Sequence, residues 1–260
     1  MSLARTGLLI VGHGTRSERG QAEFRETVEL VARLAPQTPV VACFLELAEP
    51  TIEQGIAELA KHGVERIVVL PLLLFAAGHA KQDIPQAVCD AAARFPALEF
   101  SFAAHLGCHE RVLRLSAERF TDASAAQEEI ASQDTLWLMV GRGSHDASAL
   151  AEMEQFVQRR LQLTPVGHVR IAYMAMAEPA LRSVLPEIAE RRYPRVVVQP
   201  HLLFHGELLT TVEAEVAQMA ARWPQQQWLV APHLGVADLL AEAILERFWE
   251  AQLCKTAATH

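Results

Sequence analysis

The sequence predicts an α/β protein of two similar domains, each a parallel sheet flanked by helices on both faces. Three observations carry that prediction. Short apolar runs of strand length alternate with segments of helical periodicity, the pattern of βα units. Four sequence blocks recur in the same order in the two halves of the chain, which marks a duplication. With 260 residues, 51% of them hydrophobic, the chain can bury a sizeable core.

The repeat is held in spacing as well as in order. LLIVGHGTRS around Gly12 returns as WLMVGRGSHD around Gly141, 129 residues on, and FLELAEPTIEQGIAEL from Phe44 returns as YMAMAEPALRSVLPEI from Tyr173 at the same offset. RIVVLPLLLF from Arg66 returns as RVVVQPHLLF from Arg195, and AAHLG from Ala103 returns as APHLG from Ala231, one residue closer. The join falls in TDASAAQEEIASQD, 121–134, so the expected domains are 1–127 and 128–260.

Within the first half, 8–11, 40–44, 67–70 and 100–103 are short, apolar and partly β-branched, as buried parallel strands are. Helices fill the gaps. In the first of them Phe24, Val28, Val31 and Ala35 form one apolar stripe, and Glu29 and Arg33 can pair across a turn on the outer face. The second half repeats the alternation.

Charge and composition exclude several classes. A formal net charge of -8, with no Lys/Arg block, gives no basic field for a nucleic acid. The longest apolar run, 67–77, has eleven residues including Pro71, against the roughly 20 a membrane helix needs, so no membrane partner is expected. MSLARTG has neither the apolar stretch nor the cleavage site of a secretory signal, so a cytoplasmic protein is expected. Cys43, Cys89, Cys108 and Cys254 are scattered, matching neither a disulfide framework nor an iron–sulfur or zinc motif.

In parallel α/β sheets, ligands sit beyond the carboxyl ends of the strands. His13 follows the first strand, Glu46 the second and His79 the third, so three metal-ligating side chains can converge on one edge. His13 stands between two glycines, which let a backbone pass close to a bulky ligand. GHGTRSERG has neither the GKS/GKT ending of a phosphate loop nor the third glycine of a dinucleotide fingerprint, so no nucleotide is expected. Glu46 lies in the apolar segment FLEL, where burial of a carboxylate is costly unless it is paired or ligates something. His79, in FAAGHAKQDIP, lies at an expected helix start. Glu49 and Glu178, each before a proline, are read as structural helix-start residues.

Comparing the halves separates scaffold from chemistry. Pro71, Phe75 and His105 persist as Pro200, Phe204 and His233, whereas His13, Glu46 and His79 become Arg142, Ala175 and, with one deletion, Glu207. The divergent set points to function concentrated in the first half, with a degenerate second copy. His105 and His233 are then helix-start or core histidines.

GHGTRS, FLELAEPTIEQG, LPLLLFAAGHAKQDIP and the later GRGS resemble the sirohydrochlorin chelatases of the CbiX/SirB type, the class II chelatases, in their long two-domain form. The resemblance covers nearly the whole chain and makes both expected domains chelatase-like. It implies ATP-independent insertion of a divalent metal into the tetrapyrrole sirohydrochlorin, in cobalamin or siroheme synthesis. It also implies metal handling by His13 and His79 with Glu46 nearby, and the tetrapyrrole in the cleft between the two halves. Imidazole and carboxylate donors suit Co2+, Fe2+ and Ni2+, and a small ligand set leaves coordination sites open for the macrocycle nitrogens. Co2+ is expected first, because the long form looks like the cobaltochelatase branch, and Fe2+ second. Histidine can also accept the pyrrole N–H protons near neutral pH.

Sirohydrochlorin is a polycarboxylate, so an acidic protein must offer it local donors. Arg142, Arg16, Lys81, Gly14 and Ser144 are the candidates, Arg142 through a bidentate guanidinium. The tail LCKTAATH carries neither a histidine-rich stretch nor a cluster-binding cysteine motif, so no iron–sulfur cluster is expected. Two fused halves supply in one chain what shorter relatives build from two, so a monomer with an internal pseudo-dimer is expected. A histidine phosphatase is disfavoured, because Gly12 stands where that loop requires arginine. A metal or tetrapyrrole carrier is the non-enzymatic alternative.

Overall fold

The structure is a computed structural model and describes residues 5–75, 78–125, 127 and 130–256; of 78–81 and 254–256 it describes the backbone only. The first repeat runs β1 (Thr6–Gly12), α1 (Glu18–Leu34), β2 (Val40–Phe44), α2 (Ile52–Lys61), β3 (Arg66–Pro71), α3 (Gly78–Ala92), β4 (Glu99–Phe102) and α4 (Glu110–Ala125). The second runs β5 (Thr135–Gly141), α5 (Ala147–Leu161), β6 (His168–Tyr173), α6 (Leu181–Glu190), β7 (Arg195–Pro200), α7 (Glu207–Arg222), β8 (Gln227–Val230) and α8 (Asp238–Thr256).

Each set of strands forms an all-parallel sheet, in the orders β2-β1-β3-β4 and β6-β5-β7-β8. The central strands read as continuous apolar runs because both faces are covered. Leu8 to Val11 are fully buried, and along β5 every residue is buried. Alternation divides each strand between two cores. Leu9, Val11, Ile67 and Val69 meet Ile56 and Leu59 of α2 and Ile84 and Val88 of α3. Helix starts are fixed by their caps: the Ser17 side chain accepts from Gly20 N, Thr51 and Gln54 form a capping box, and Asp146 accepts from Ser148 N. Among the described residues, no helix is long and apolar enough to cross a membrane.

The compact units are not the sequence repeats 1–127 and 128–260. One unit comprises Met1–Arg111 with Val236–His260, the other Val112–Gly235, so the two repeats exchange their last helices. The exchange is anchored symmetrically. In one unit Arg247 of α8 donates Nη2–H to the Leu106 carbonyl at 3.1 Å; in the other Arg119 of α4 donates to the Leu234 carbonyl at 2.8 and 3.0 Å. Arg119 and Arg247, like Leu106 and Leu234, are 128 residues apart. No periodicity signals this swap, because each helix keeps the same apolar pattern whichever sheet it covers.

The units differ in one core. Where the first repeat has Val31, Leu70 and Leu72, the second has Arg160, Gln199 and His201, all buried. Arg160 donates to Thr164 and to the Ser116 carbonyl and lies over the Phe120 and Trp137 rings; Gln199 also donates to Ser116. Burial pushes the Arg160 guanidinium down to about 10 and the His201 imidazole down to about 3.

Candidate functional site

The parallel topology brings the ends of β1 and β2, neighbouring strands paired Gly12 to Phe44, to one sheet edge. Two backbone bonds then tie the following loops together: Leu45 N–H donates to the Gly12 carbonyl at 2.9 Å and Glu46 N–H to the His13 carbonyl at 3.1 Å. The result is that His13 Nδ1 faces Glu46 Oε1 at 3.4 Å, with no hydrogen bond made by Nδ1. Both side chains are partly exposed, 41% and 54%, while the Nδ1 atom itself is shielded from solvent.

The surroundings of the pair differ from the sequence expectation in two respects. Glu46 is not a buried carboxylate: β2 ends at Phe44, so Glu46 escapes the apolar alternation and lies in an open loop. The glycines flanking His13 answer to the protein's own packing. A Cβ on Gly14, at φ +104°, would lie 1.8 Å from the Glu46 carbonyl oxygen, and one on Gly12 would press on Phe24 at 3.1 Å. The second repeat is built identically, with Gly143 at φ +90° against the Ala175 carbonyl and Ala175 N–H donating to the Arg142 carbonyl. The loop pair is scaffold, and its side chains differ.

His79 and Lys81 fall in the first turn of α3, and their side chains lie outside the described residues. Arg16 and Arg142 are exposed, and the side chain of neither forms an ion pair or hydrogen bond among the described residues. The Ser144 hydroxyl accepts from Asp146 N at 3.0 Å, as Thr15 accepts from Ser17 N in the first repeat, so it has a turn-forming role in both copies. Among the described residues no three metal-ligating side chains cluster. Glu49 and Glu178 precede the starts of α2 and α6, and Glu178 Oε2 accepts from Ala180 N at 2.8 Å. Cys43 is a buried thiol and Cys89 an exposed one.

His105 and His233 are neither helix-start nor core residues. They are half-buried in loops that end at Glu110 and Asp238. The buried histidine of that region is His109, whose Nε2 lies 3.1 Å from Glu246 Oε2 and whose Nδ1 accepts from Arg111 N. Arg111 pairs with Glu242 and Glu246 of α8. Desolvation and the neighbouring Arg247 lower the His109 pKa from its ordinary value. The second copy has Ala237 in place of His109, a divergence legible in the sequence. Sequence reasoning also missed Arg25, which holds the Glu46 loop by donating to the Glu49 carbonyl at 3.1 Å while lying over the Phe44 ring.

The CbiX family model matches residues 7–123 and again 136–251, one match to each repeat. The chain belongs to the CbiX family. A sirohydrochlorin ferrochelatase of Priestia megaterium is 32% identical over 91% of this chain and 87% of its own length. A sirohydrochlorin cobaltochelatase of the same organism is 28% identical over 92% and 78%. Among solved structures, SirB from Bacillus subtilis with Fe3+ superposes with a TM-score of 0.85 at 28% identity, over 95% of both chains. The SirB chelatase from Bacillus subtilis subspecies spizizenii in complex with cobalt gives 0.80 at 29%, again over 95% of both. This CbiX chain thus shares the two-domain length with relatives named for iron and for cobalt. Length does not single out the cobalt branch.

Proposed function

We propose that this CbiX chain inserts a divalent first-row metal ion into sirohydrochlorin without ATP, and that the first repeat carries the metal chemistry. The observation that carries the reading is the His13–Glu46 pair, partly exposed and with Nδ1 unpartnered, present in one repeat and replaced by Arg142 and Ala175 in the other on an otherwise identical loop scaffold. Nδ1 and Oε1, 3.4 Å apart without a hydrogen bond, match the bite of two donors on one ion with bonds of about 2.1 Å. An ion entering between them displaces no protein hydrogen bond. Two or three ligands, with His79 as the third, leave open positions for the pyrrole nitrogens, whereas a closed site would retain the metal. The imidazoles also take up the pyrrole N–H protons as the metal enters.

Co2+, expected from the sequence, and Fe2+ both suit nitrogen and carboxylate donors. Arg142, Arg16, Lys81 and backbone amides at Gly14 grip the substrate carboxylates in this reading. The test follows the absorbance of sirohydrochlorin after adding protein with Co2+, and with Fe2+ under anaerobic conditions, each against a protein-free control. Insertion faster than the control establishes the activity, and the ratio of rates gives the metal preference. Binding without acceleration for either ion replaces this reading with that of a carrier.

A further inference from the structure

Beside the metal pair stands a residue in an unfavourable conformation. Leu47, immediately after Glu46, adopts φ +61°, in the left-handed region that L-residues with branched side chains avoid. Its side chain gains little from the fold, being 54% exposed. Glycine or asparagine would satisfy the same backbone more cheaply. The second repeat repeats the device: Met176 adopts φ +59° and is 41% exposed. There the histidine and glutamate are gone, so the apolar side chain does not follow the metal ligands. The loop backbone belongs to the scaffold, but scaffold alone gives no reason to keep a large apolar side chain in water at a position suited to glycine. Sparse backbone conformations of this kind collect at ligand clamps.

We infer that Leu47 is a substrate-binding residue that packs its exposed side chain on the flat apolar face of the tetrapyrrole whose nitrogens receive the metal beside His13 and Glu46. The inference rests on the chelatase reading above and deepens it. A conjugated macrocycle presents a broad apolar face with charge confined to its peripheral carboxylates, so arginines serve the rim and an aliphatic side chain serves the face. Covering the exposed part of one leucine corresponds to about a tenfold change in affinity.

The experiment titrates sirohydrochlorin, without metal, into the full-length protein and into Leu47→Asn, Leu47→Met and His13→Ala, reading Kd from the chromophore, with Tm and insertion kinetics measured on the same samples. Asparagine tolerates the left-handed backbone, so Leu47→Asn keeps its Tm while Kd and KM rise about tenfold and kcat is largely retained. Leu47→Met, the second repeat's own solution, stays within about twofold of the parent. His13→Ala binds like the parent and does not insert metal. Unchanged Kd in Leu47→Asn overturns the inference, as does a Leu47→Met variant as weak as Leu47→Asn. Parental insertion by His13→Ala with weakened Leu47→Asn overturns the metal reading and leaves the apolar seat standing. A parent protein that does not bind sirohydrochlorin overturns both.

Discussion

Replacing Gly14 by alanine and, separately, Gly143 by alanine perturbs two equivalent loops that carry different side chains. In each, the new Cβ would start 1.8 Å from a carbonyl oxygen, of Glu46 or of Ala175, and real contacts need at least 3.0 Å, so the loops must part by more than an ångström. Parting breaks Leu45 N–H to Gly12 O and Glu46 N–H to His13 O in the first repeat, and Met174 N–H to Gly141 O and Ala175 N–H to Arg142 O in the second. Two hydrogen bonds at about 1 kcal/mol each, with about 1–2 kcal/mol for the left-handed backbone, give about 3–4 kcal/mol for either variant. Thermal denaturation should therefore show Tm lowered by similar amounts, about 6–15 °C. Activity should split. Gly14→Ala displaces His13 from Glu46 and lowers kcat by about 100-fold at temperatures where the protein is folded, whereas Gly143→Ala moves Arg142 and raises KM with kcat retained. Equal kcat losses in the two variants, measured by metal insertion into sirohydrochlorin, would refute the assignment of chemistry to the first repeat.

Other outcomes follow from the same geometry. Arg142→Ala should raise KM for sirohydrochlorin and spare kcat; an unchanged KM removes the second repeat's arginine from the substrate site. Glu46→Ala should raise the Co2+ concentration needed for half-maximal rate by about tenfold or more, read by metal titration at saturating tetrapyrrole, without lowering Tm, since Glu46 is exposed. His201 has its pKa pushed down to about 3 from an ordinary 6.5, so below pH 6.5 the unfolded chain binds a proton that the folded one refuses. Its contribution to stability is complete above pH 6.5 and is lost toward pH 3 at about 1.4 kcal/mol per pH unit. His201→Leu, restoring the residue found at Leu72, should flatten the acid side of the stability profile measured by urea denaturation between pH 7 and 4.

The strand and helix order was legible because apolar runs covered on both faces and amphipathic helical segments differ in period, and the duplication was legible because both loop motifs kept their spacing. Comparing the copies pointed to His13 and Glu46, which the fold brings within 3.4 Å. Three kinds of information were not legible. The exchange of α4 and α8 depends on which sheet an apolar stripe covers, and a stripe carries no address. The need for Gly14 comes from a carbonyl on another strand's loop, so the sequence reading supplied a ligand where the neighbour is Glu46 itself. The exposure of Glu46 depends on β2 ending at Phe44, and FLEL reads as continuous strand. Leu47 was hidden for the same reason, since only the backbone angle separates it from an ordinary core leucine.

The most direct test of the central claim is the initial rate of metal insertion into sirohydrochlorin by the parent protein and by His13→Ala, at equal protein concentration, with folding of both verified by circular dichroism. The account predicts that the parent exceeds the protein-free rate and that His13→Ala falls to near that background while still binding the tetrapyrrole. Parental rates in His13→Ala would place the metal chemistry elsewhere and contradict the account.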